Sequence, residues 1–179
     1  MFNNYIYLIA SLPMLHYGTK PPFSWEKFLE HCESQLPPPD IALLKTTSIA
    51  GEYIYKGRQR VISKWQQWDR GLRNELVKIR ASRKHADPLK YLREEAHAGS
   101  RVTQISQNAY KNPMHFEAEK TLDAERWHFI EELSIGHYFD IDFLLVYAHK
   151  LLILLKWEKI NQADAERELN TYCVLSTEY

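Results

Sequence analysis

An all-α bundle is the fold class the sequence predicts, and three observations carry that prediction. Apolar residues recur every three or four positions at Ile62, Trp65, Trp68, Leu72, Leu76 and Ile79, which is one stripe along a long helix and not the alternation of a strand. Asp87–Pro88 and Asn112–Pro113 read as helix starts, because an Asx side chain accepts a backbone N–H and proline needs none at the first helical position. Gly136 separates a second periodic stretch from the leucine-rich run Phe143–Trp157, and a glycine there can end a helix in the left-handed conformation. The expected architecture is a multi-helix bundle with a long helical hairpin over 113–160. One helical domain is expected over 1–179, less regular over 1–55 and forming a helical core over 56–179. At 179 residues and 45% hydrophobic, the chain has enough apolar material for such a core.

Taken in order, residues 1–12 are ambiguous. Tyr5 to Ala10 are apolar without a break, so an extended strand and a buried helix both fit. Pro13, Gly18, Pro21 and Pro22 form a loop. Ser24 caps a helix with Glu26 in its first turn and Phe28, Leu29 and Cys32 on one face. Pro37–Pro38–Pro39 stops that helix, and Asp40 is expected to cap a short successor carrying Ile41 and Leu44. Glu52–Gly57 is a loop or a short extended piece. The stripe then predicts a helix near 60–83. Asp87–Pro88 starts a further helix that Gly99 closes, and a weaker one covers Arg101–Tyr110. Ala118, Leu122, Phe129 and Leu133 stripe the first arm of the hairpin, with Glu125 on the same stripe. Ile141, Leu144, Leu145, Ala148, Leu151, Leu152 and Leu155 face inward from the second arm. Asn161 is expected to end it, with a last helix from about 162 to 174.

Composition limits the function classes. Net charge is zero and no recognised nucleic-acid motif is present, so nucleic acid is not an expected partner. Cys32 and Cys173 form neither a metal cluster nor a disulfide framework, which fits a reducing compartment. Met1–Leu15 lacks the basic start of a secretory signal. Phe143–Trp157 is interrupted by charge and falls short of the ~20 apolar residues a bilayer requires. A cytoplasmic protein without a transmembrane segment is expected.

Charge is nevertheless segregated along the chain. Residues 56–84 net +8 and residues 117–142 net −6. Either the basic helix meets an acidic partner, or the two segments are neighbours that neutralise each other. For the first case Arg70, Arg73, Arg80 and Arg83 are the candidate interface, a strip ~20 Å long if they share a face. A metal site is the competing chemistry: Glu94-x-x-His97 and Glu125-x-x-His128 have the spacing of di-iron bundles. Glu75 could add a third carboxylate, but no fourth is in place, so no metal ligand set, no cofactor and no tightly bound metal are expected. Nucleophilic catalysis has no support. There is no G-x-S-x-G and no glycine-rich phosphate loop, and the neighbours His31 and Cys32 point apart on a helix. His149 and Lys150 read as a core histidine and a lysine that reaches outward past its apolar stem.

Three stretches resemble a known family: Tyr5-Ile-Tyr-Leu-Ile-Ala-Ser-Leu-Pro13; Leu72-Arg-Asn-Glu-Leu-Val-Lys-Ile-Arg-Ala81; and Asn112-Pro-Met-His-Phe-Glu-Ala-Glu-Lys-Thr-Leu-Asp123 with Phe139-Asp-Ile-Asp, Tyr147 and Lys150-Leu-Leu-Ile-Leu. In that order they resemble an uncharacterised bacterial family encoded beside subunits of rotary V/A-type ATPases. That family is distantly similar to the helical ATPase subunit called C in prokaryotes and d in eukaryotes, which caps the membrane rotor ring and receives the central stalk. At about half that subunit's length, this chain cannot build the same three-part funnel. The resemblance implies a non-catalytic structural or coupling subunit, or an accessory protein, that joins soluble stalk and membrane ring and is peripheral to the membrane through its partners. A small metal-dependent helical-bundle enzyme using Glu94, His97, Glu125 and His128 is the alternative, and a free-standing helical adaptor is a third reading.

Overall fold

The computed structural model describes residues 5–93 and 99–176, with side chains described as far as Asp164. Its helices are α1 (Ile6–Ser11), α2 (Trp25–Glu33), α3 (Pro38–Lys45), α4 (Arg60–Arg83), α5 (Ser100–Lys111), α6 (His115–Leu133) and α7 (Ile141–Ser176), with one 3-10 turn at Pro88–Lys90. Of the described residues 68% are α-helical and none is in a strand, so the predicted class holds.

The apolar periodicity fixed the long elements. In α4 the stripe buries Ile62, Trp65, Leu72 and Leu76. It packs against α5, α6 and α7, while α2 and α3 lie on α7. The expected hairpin is α6 and α7, turned at Gly136 with φ +83. Ser24 caps α2 as expected, its Oγ accepting the Lys27 N–H at 3.3 Å. Buried side chains fall into two clusters. The larger joins α1–α3, the first half of α4, the last half of α6 and α7. The smaller joins Leu72 and Leu76 of α4, Val102, Ile105 and Ala109 of α5, and Leu122 of α6. Trp68 packs against both.

Several local expectations are corrected. The N-terminal segment resolves to a short helix burying Leu8 and Ile9, and the Tyr5 N–H bonds the Phe139 carbonyl at 2.6 Å. α3 begins at Pro38, with Pro37 as its cap and Asp40 inside the first turn, because proline suits the first helical positions. Asp87 does cap, accepting the Leu89 N–H at 3.0 Å, but the helix stops after one 3-10 turn. The Asn74 amide explains this: it accepts the Arg93 N–H at 3.0 Å and donates to the Arg93 carbonyl at 3.2 Å, taking both backbone groups a continuing helix would use. Gly99 is the N-cap of α5 and is extended (φ −64, ψ 161), not in the left-handed conformation. Asn112 closes α5 and its side chain accepts the Met114 N–H at 3.0 Å, so α6 starts two residues past Pro113. Asn161 ends nothing. Its helix penalty is below ~0.7 kcal/mol, good helix formers follow, and Gln162 bonds Glu158 at 2.9 Å one turn back. α7 therefore runs unbroken for 36 residues, ~54 Å. Leu144 and Leu151 are buried, whereas Leu155 is half-buried.

Candidate interaction surfaces

The charges that the sequence divides by segment are divided differently in space. Asp69 of α4 is buried beside Arg126 of α6: the basic helix supplies the acid and the acidic helix the base. Asp69 Oδ1 accepts from Arg126 Nε at 3.1 Å, and Oδ2 from Arg73 Nε at 2.7 Å and the Tyr53 hydroxyl at 2.8 Å. Arg126 Nη1 donates to Asp123 at 2.6 Å and to Glu119 at 3.3 Å. Lys156 of α7 reaches the same two carboxylates, Glu119 at 2.6 Å and Asp123 at 2.7 Å. Three carboxylates and three cations thus form one neutral network tying α4, α6 and α7. Burial alone would push the Asp69 carboxyl up; the Arg126 and Arg73 guanidinium groups outweigh it and hold it below the usual carboxylate range. Glu119 is likewise held low, burial being outweighed by Lys156 and Arg126. Desolvation pushes the Tyr53 hydroxyl up to about 12, so it stays a donor to Asp69.

Sequence reasoning allowed that the two segments neutralise each other but weighed them by net charge, and so did not single out Asp69 and Arg126. The signal was present. Asp69 lies four after Trp65 and three before Leu72, and Arg126 lies four after Leu122 and four before Ile130, so both occupy the buried stripes.

The four candidate arginines do not share one open strip. Arg73 belongs to the network and also donates to the Ile49 carbonyl at 2.9 Å. Arg70 lies over the Tyr53 ring, 4.8 Å from its centre. Arg80 and Arg83 sit at the far end of α4, exposed, with Arg83 Nη1 donating to the Tyr110 hydroxyl at 3.1 Å. The split follows from helical geometry, since Asp69 and the 46–53 loop cover the middle of α4 and leave its last turns open.

The metal candidates do not converge where they are described. Glu125 faces Arg101 of α5 at 3.7 Å, His128 is exposed beside Glu131, and Glu75 pairs with Lys78 at 2.7 Å. Glu94 and His97 lie outside the described residues. Among the described residues no three His, Cys, Asp or Glu side chains come together in a metal-like group. His31 and Cys32 point apart: His31 Nδ1 bonds the Lys27 carbonyl at 2.6 Å, and Cys32 is fully buried, its thiol pushed up to about 12 by desolvation. Cys173 lies outside the described side chains. His149 donates Nδ1–H to the Leu145 carbonyl at 2.8 Å and lies edge-on to Trp65; burial pushes it down to about 4, so it is neutral.

Among the described residues, two exposed surfaces lie at opposite ends of α6. At its C-terminal end, α1 and the 134–140 turn meet through the Tyr5–Phe139 backbone bond. They present Ile6, Tyr7, Ile135, Tyr138 and Phe139, with Tyr7 88% and Ile135 75% exposed. Arg60, at the start of α4, reaches the same end, donating to the Leu133 carbonyl at 2.9 Å and to Asp142 at 3.0 Å. At the N-terminal end of α6, a groove of about 700 Å³ lies between the last turns of α4 and the α5–α6 corner, with Arg80, Arg83 and Lys111 along it. The length of α6, 19 residues or ~28 Å, separates the two surfaces.

Fold and surfaces define an all-helical bundle whose buried charges hold helices together; no described helix is long and apolar enough to cross a membrane. Residues 100–171, less than half of the chain, match a family described as a protein of unknown function, DUF2764. No curated protein and no solved structure matches the chain.

Proposed function

We propose that the chain is a non-catalytic docking or coupling subunit, acting between two partners, and that its partners are subunits of a rotary V/A-type ATPase. One observation carries the docking part: an apolar tip and a cationic groove stand ~28 Å apart on one rigid hairpin arm. A body braced by buried ion pairs between those surfaces suits the transmission of force more than the binding of a small substrate. The assignment to an ATPase rests on the sequence resemblance. In this reading the protein is cytoplasmic and peripheral to the membrane, held there by the stalk and ring subunits.

The test is isolation of the protein from its native cells without a tag on the partners, with mass spectrometry of what accompanies it. ATPase stalk or ring subunits in fixed ratio are expected. A protein that emerges alone would support the free-standing adaptor instead. Near one or two equivalents of iron, zinc or manganese by elemental analysis would revive the metal-dependent enzyme.

A further inference from the structure

We draw no further inference here: the strongest candidate, the exposed apolar patch where α1 meets the 134–140 turn, carries none because nothing in the structure shows what covers it.

Discussion

Asp69 and Asp123 are each 1% exposed, and what permits two buried carboxylates there is the Arg126 guanidinium between them. Removing that cation leaves Asp69, Asp123 and Glu119 to share Arg73 and Lys156, one buried negative charge in excess, so Arg126→Met should cost about 3–5 kcal/mol by urea denaturation. Adding Asp123→Asn to it should recover much of the loss, since Asp69 then balances Arg73 and Glu119 balances Lys156. The network also sets an acid limit. Asp69 and Glu119 are held below their unfolded values, so their stabilisation is complete above the ordinary carboxylate range and is lost as pH falls through and below it. His149 acts earlier. Its folded value is about 4 against 6.5, so the unfolded chain takes up the proton first and stability falls as pH drops from about 6.5 toward 4. Urea midpoints at pH 7, 5.5 and 4.5 should therefore decline before the carboxylates titrate, and His149→Asn should flatten that part of the curve. Gly51 shows the same crowding from the backbone side: at φ +83, a Cβ there would stand 2.7 Å from Arg93 Nη1 and 2.9 Å from the Arg73 guanidinium. Gly51→Ala should destabilise by at least the ~1–2 kcal/mol of a left-handed alanine.

At the scale of elements, legibility followed the strength of the local signal. α4 and the α6–α7 hairpin were readable because a stripe of large apolar side chains and a left-handed glycine leave few alternatives. The segment after Asp87 was not readable. Its cap is real, but the Asn74 amide 19 residues before Arg93 overrides it, and a single sequence does not announce so distant a competitor. Asn161 misled for the opposite reason, since a weak local preference was given more weight than the helix formers around it. The candidate strip of arginines failed as one surface because periodicity places residues on a face without saying which neighbour covers part of it. One helix end was legible only in the structure. His85, not glycine, holds the left-handed position (φ 49) that closes α4. His85→Gly relieves the Cβ clash at some cost in chain entropy, for an expected net gain of roughly 0.5–1 kcal/mol in thermal or urea unfolding.

For the molecule as a whole, the exposed tip and the interior make opposite demands. Tyr7→Ser with Ile135→Ser removes apolar surface that packs on little of the chain itself, so stability should change by no more than ~0.5 kcal/mol while association with partners weakens. Leu151→Ala opens a fully buried site in α7 and should cost ~2–5 kcal/mol in the same measurement. Which amides such a cavity affects depends on how the interior is divided. Leu151 belongs to the larger apolar cluster, and the smaller one around Leu72, Ile105 and Leu122 touches it through Trp68. A protein built this way has two clocks for solvent entry. Amides of α5 and the last half of α4 should exchange with deuterium through openings that leave α7 closed, hours before those around Leu144–Leu154. Trp68→Ala should draw the two rates further apart, because the ring is the side chain through which one cluster feels the other.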